Sequence, residues 1–133
     1  MKEFKKIPGV GDIGSLIFDS YIQTPHRFTC KSPLFRYCQL GVTDRSSDNK
    51  PLGYKRLDKA GNSELKAMSY RAYLAAMRIR RENEVRTFFE NSYRVTRNAT
   101  RARLNTQRKI ISVMHGIWRK GEEYNSKLFL GSD

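Results

Sequence analysis

Acidic side chains are scarce in this sequence: 13 Asp and Glu stand against 26 Lys and Arg in 133 residues, for a formal net charge of +13. So large an excess favours a polyanionic partner, because phosphate contacts release condensed counterions. Nucleic acid is the first candidate, an anionic membrane surface the second, and a helical bundle that is merely basic the third. Long apolar runs are absent too. None approaches the roughly 18–20 residues that a membrane-crossing helix requires, so no spanning segment is expected; with nucleic acid ranked first, the expected partner is DNA and not a membrane. Cysteine is limited to Cys30 and Cys38, and histidines do not cluster. That excludes a zinc pattern and a disulfide scaffold, and points to reduced thiols in the cytoplasm. The opening MKEFKKIPGVG has lysines but no apolar stretch after them, so no signal peptide is expected. Internal repeats and low-complexity tracts are lacking as well.

What is present fits one domain. At this length folding hides roughly two-thirds of the unfolded surface, and an apolar content of 38% allows a modest core. The cations are unevenly spread. Residues 65–120 hold 14 basic and three acidic side chains, residues 1–64 hold 11 and seven, and the last 13 residues sum to −2. Ser32-Pro33 reads as an N-cap and first-turn proline, which predicts a short helix from Pro33 to Leu40 stopped by Gly41. Asn62 caps a longer helix to about Arg81, with Leu65, Met68, Ala72, Ala75, Ala76 and Ile79 on its buried arc. Tyr70, Tyr73 and Met77 form a second apolar stripe suited to a homo-oligomer contact. Asn83 opens another helix, with Val85, Phe88, Phe89 and Ser92 at helical spacing, breaking near Arg97-Asn98. The last long helix is predicted from Thr100 to Lys120. Leu104, Ile110, Ile111, Met114, Ile117 and Trp118 make its buried arc, and Arg101, Arg108, Ser112, His115 and Arg119 its opposite, solvated face. Gly121 ends it, and residues 122–133 read as a loosely packed tail. The fold class is therefore mainly α.

Two stretches carry chemistry. In the first, Pro8-Gly9-Val10-Gly11 precedes an amphipathic helix starting near Asp12 or Ile13. Glycines permit a tight turn and a close backbone approach, and the helix start adds free N–H groups. With Lys5 and Lys6, Gly9 and Gly11 form a candidate phosphate clasp over residues 4–24 that resembles the helix-hairpin-helix DNA-backbone motif. Such contacts position DNA without reading bases. The second stretch, residues 42–61, is polar and non-periodic, and is read as a loop or a short irregular hairpin. Its adjacent Ser46 and Ser47 are flanked by Arg45, Lys50, Lys55 and Arg56. A loop of this length inside a small domain is unusual unless it binds or reacts, although Ser-Ser-Asp-Asn also simply shapes turns.

Taken in order, IPGVG, YCQLG, the serine loop, RLDKAGNSELK and ARLNTQRKIISVMHGIWRKGEEY resemble the C-terminal domain of insertion sequence 110/116/902 family transposases, from about Phe4 to Tyr124. The resemblance implies a composite site: a ribonuclease-H-like N-terminal domain supplies acidic residues for Mg²⁺, and this domain supplies a serine that attacks a DNA phosphodiester. It also implies DNA as a partner, together with a structured guide RNA. By the family's spacing after Tyr37 to Leu40, Ser47 is the nucleophile. Asp48 stands where a glycine is common, which keeps Ser46 as a rival. Gly61-Asn62 and Arg108-Lys109 match further family positions. Arg101, Arg108 and Arg119 are expected on DNA, with His115 as a candidate helper. No cofactor is expected in this chain itself. Asp44 and Asp48 are a poor Mg²⁺ pair, so the expectation is an isolated or truncated domain needing its acidic half. The alternative is a non-enzymatic nucleic-acid-binding helical module.

Overall fold

A computed structural model describes residues 4–41 and 62–130, and within them the chain is helical with no strand. A 3-10 turn at Phe4–Lys6 leads into α1 (Gly11–Ile22), and a second at Pro25–Arg27 leads into α2 (Lys31–Tyr37). Three longer helices follow, α3 (Ser63–Arg78), α4 (Glu84–Thr96) and α5 (Ala99–Lys120), and then the short α6 (Ser126–Leu130). The mainly α expectation holds. The serine loop, with Arg45, Ser46, Ser47, Lys50, Lys55 and Arg56, lies outside the described residues.

Each long helix starts on an asparagine. The Oδ1 atoms of Asn62, Asn83 and Asn98 accept from the N–H groups of Leu65, Arg86 and Arg101 at 3.1, 2.9 and 3.0 Å. Each cap satisfies a donor with no partner inside the helix. The end of α3 is closed from the other side. Asn83 Nδ2 donates to the Ala76 carbonyl at 3.1 Å, and Arg86 donates to the Met77 and Ile79 carbonyls, each at 2.7 Å. These bonds stop α3 at Arg78, three residues before the sequence expectation. Gly121, in the left-handed region at φ 69°, ends α5 as expected.

α5 is the central element, against which α2, α3, α4, α6 and the Pro25–Arg27 turn all pack, while α1 packs on α3. The core gathers Phe4, Phe18, Leu34, Leu65, Ile110 and Met114, all fully buried. Ala75 and Ile79 prove to be exposed, and Ser69 takes their place on the buried side of α3. Ser69 Oγ accepts from Gln107 Nε2 at 2.9 Å and donates to the Lys66 carbonyl at 2.8 Å, so this buried pair is hydrogen-bonded throughout. The tail is also better ordered than the sequence suggests. Phe129 is buried edge-on against Phe88, and Tyr124 donates to Glu84 at 2.6 Å.

Gly9 has a specific packing role. Its φ is +93°, and a methyl group there would collide with the Ala72 carbonyl oxygen and stand 3.0 Å from the Ala76 nitrogen. The turn before α1 thus lies directly on the backbone of α3. Gly11, at φ +66°, has open space where a side chain would go.

Candidate nucleic-acid interface

The cationic stripe of α5 follows from its spacing. Arg101, Arg108, His115 and Arg119 fall within one arc of about 40° at about 100° per residue, spread over roughly 27 Å of helix. The sequence expectation set this stripe in solvent. Arg101 is exposed, and its side chain has no hydrogen-bond partner among the described residues; the others are the line on which the segment from Pro25 to Leu40 docks. His115 Nε2 pairs with the Pro25 carbonyl at 2.9 Å, Arg119 Nη1 donates to the Thr29 carbonyl at 3.0 Å, and Arg108 Nη1 donates to the Leu40 carbonyl at 2.9 Å. From the other side Lys31 Nζ donates to the Ser112 carbonyl at 3.0 Å. The physical reason is backbone satisfaction: an irregular segment on a helix has carbonyls that need donors, and long cationic side chains deliver them.

This docking fixes the base of the serine loop. The Asn62 N–H donates to the Tyr37 carbonyl, joining the chain on either side of residues 42–61. Arg108 holds the adjacent Leu40 carbonyl and is oriented by Asn105 Oδ1 at 2.8 Å. Tyr37, Leu40, Asn62 and Arg108, far apart in sequence, therefore meet at one stem. Arg108 is half-buried there, and desolvation lowers its pKa.

His115 is buried, at 2% exposure, rather than solvated. A carbonyl only accepts, so Nε2 carries the proton toward Pro25, and Nδ1 accepts from Lys31 Nζ at 3.1 Å. Both nitrogens are engaged, which removes it as a general base for the loop. Burial first, then the Lys31 charge, holds its pKa below the usual 6.5. Folded His115 therefore refuses a proton that the unfolded chain accepts, so the stability present at neutral pH declines as pH falls below about 6.5. Urea melts at pH 7.5 and 5.5 should differ by up to about 1.4 kcal/mol, and His115→Gln should shrink that difference.

At the N-terminal turn, Lys5 and Lys6 are exposed. Lys5 Nζ pairs with Asp12 Oδ1 at 3.1 Å in an exposed ion pair, so an acid already faces the start of α1. The structure brings Lys5, Lys6, Gly9 and Gly11 together, but Gly9 is taken up by α3, leaving Gly11 as the open glycine. Among the described residues no three His, Cys, Asp or Glu side chains converge, so these residues do not fit a divalent-metal site. Among them, too, no helix is long and apolar enough to cross a membrane.

The model of the transposase IS116/IS110/IS902 family matches residues 1–90 of this chain. The chain belongs to that transposase family. DNA transposition is the activity of the family, and DNA its partner. The match takes in the glycine turn, the stem residues Tyr37, Leu40 and Asn62, and α4 up to Glu90, while α5 with Arg108 lies beyond it. No curated protein and no solved structure matches this transposase-family chain.

Proposed function

We propose that this chain is the serine-bearing part of its transposase, with Ser47 as nucleophile and Ser46 as the alternative. The supporting observation is the convergence of Tyr37, Leu40, Asn62 and Arg108, which brings the described residues on either side of positions 42–61 together beside a strongly basic helix. A closed stem limits where a loop hydroxyl can go, and positioning is a large part of the chemistry that such a group needs. The step is a transesterification: the serine oxygen bonds to phosphorus, the phosphorus–sugar oxygen bond breaks, and the departing oxygen takes up the proton that serine gives up. Bond energy is kept in the phosphoserine ester, so rejoining needs no added energy source. A serine hydroxyl is a weak nucleophile at neutral pH; the described residues of this chain offer no metal cluster, and both ring nitrogens of His115 are already engaged. Activation is therefore assigned to a ribonuclease-H-like acidic domain and its Mg²⁺, and the chain alone is proposed to be inactive in strand transfer. A structured guide RNA belongs to the same reading.

The experiment joins the chain to a ribonuclease-H-like domain of the family and traps covalent protein–DNA adducts. Ser47→Ala should abolish the adduct, a loss of at least a hundredfold, and Ser46→Ala should preserve it. Adduct from Ser47→Ala but not from Ser46→Ala transfers the role to Ser46. Adduct from the double variant removes both serines, and leaves a nucleic-acid-binding module in place of a nucleophile donor.

A further inference from the structure

Between the Thr29–Lys31 segment and the last turns of α5 lies a cleft of about 300 Å³ that the docking contacts do not fill. Lys31, Lys109, Arg119 and Lys120 line it, and Glu122 is the single carboxylate on its walls. Among the described residues none of these four cations has an ion-pair partner within 4.0 Å. Gathering four like charges around a concave space is unfavourable without an anion, since each raises the cost of the others. Two N–H groups of Lys31 serve Ser112 and His115, which leaves the third of its three donors for the cleft.

The floor points the same way. Gly116 sits in the interior of a 22-residue helix, where glycine is costly relative to alanine. The nearest atom to a methyl group there would be Lys31 Nζ, at 4.0 Å, so no close packing requires the glycine. Its missing side chain keeps the space in front of the ammonium open.

We propose that this cleft seats a backbone phosphate of duplex DNA, held by the Lys31 ammonium and the Arg119 guanidinium and flanked by Lys109 and Lys120. This rests on the reading that the chain engages DNA, and adds where, away from the glycine turn, one phosphate is gripped. Burial first, then Arg119, Lys120 and Lys109, lowers Lys31 to about 8 in the free protein. An arriving phosphate restores its charge, so binding at pH 8 should take up protons, with Cys30, His115 and Glu122 the other titratable groups facing it.

Cys30 supplies a probe, because it lies exposed on the cleft wall, whereas Cys38 is buried with its thiol pushed up to about 12. A short duplex of arbitrary sequence should slow iodoacetamide alkylation of Cys30 in the full chain, with Cys38 silent throughout. Gly116→Leu keeps every charge, retains a good helix former and fills the space. It should weaken duplex affinity roughly tenfold, abolish the Cys30 protection and flatten the log–log salt slope by about 0.9. The double variant Lys109→Gln, Lys120→Gln leaves the loop-stem contacts intact and should also lose about tenfold, which covers the case of a misfolded Gly116→Leu. Circular dichroism checks both. Duplex binding by the wild type with unprotected Cys30 and unchanged affinity in both variants would overturn the cleft while sparing the DNA reading. No duplex binding by the wild type would overturn both.

Discussion

Gly9→Ala should destabilise this protein by about 2–6 kcal/mol, combining a left-handed backbone forced on a non-glycine residue with overpacking against α3. The total stability of a domain is typically about 5–15 kcal/mol, so much of it is at stake. The collision is with backbone, at Ala72 and Ala76, and cannot be relieved by a side-chain rotation. Gly11→Ala is the matched control. It carries only the strain of φ +66°, about 1–2 kcal/mol, with nothing in its way. Urea melts of both variants separate two roles for the Pro-Gly-Val-Gly turn. If Gly9 exists to let phosphate approach, Gly9→Ala will keep wild-type stability and lose DNA affinity. Packing predicts the reverse order, with stability lost first and DNA affinity following only the unfolded fraction.

How much of this was legible in the sequence depends on how local each feature is. Asn62, Asn83 and Gly121 could be read as helix boundaries because a cap acts within one turn of itself. The start of α2 was read less well. Ser32-Pro33 suggested a start at Pro33, but the helix begins at Lys31, with Cys30 at its cap position and Pro33 within the first turn, where proline is still tolerated. Helical periodicity correctly gave α5 a face bearing Arg108, His115 and Arg119, and Arg119 is exposed as expected, but Arg108 is half-buried and His115 buried. Period alone cannot tell a polar face in solvent from one holding the carbonyls of a segment that lies 68–90 residues away. Gln107 and Thr106 were missed for the same reason: both are fully buried with hydrogen-bond partners, Ser69 and the Ala102 carbonyl. For the candidate site, the residue types were readable and their company was not. The stem pairing Tyr37 with Asn62, and Leu40 with Arg108, is tertiary, and so is the cleft beside Lys31.

Phe18→Ala tests whether that tertiary frame is one cooperative unit. Phe4, Phe18 and Trp118 form a triangle of rings, with centroids 5.2 Å apart for Phe4–Phe18, 5.7 Å for Phe4–Trp118 and 6.0 Å for Phe18–Trp118. Phe18 is fully buried, and truncating a buried phenylalanine typically costs about 3–5 kcal/mol through lost transfer energy and the cavity left behind. At this size that lowers Tm by roughly 10–20 °C. Trp118 is the only tryptophan, so its emission reports the site directly and should shift to the red as water gains access. Tyr93→Ala, at the half-exposed end of the Tyr73–Phe89–Tyr93 ring series, serves as the comparison and should cost less than about 1 kcal/mol. A loss below about 1 kcal/mol from Phe18→Ala, with unmoved emission, would show that the triangle is not part of the core. The expected loss means that the N-terminal turn and the last turn of α5 stand or fall together. The family match ends at residue 90, yet Phe4 and Phe18 in the matched part bury themselves against Trp118 beyond it. Folding of the matched part therefore depends on α5, and so does the stem from which the serine loop emerges.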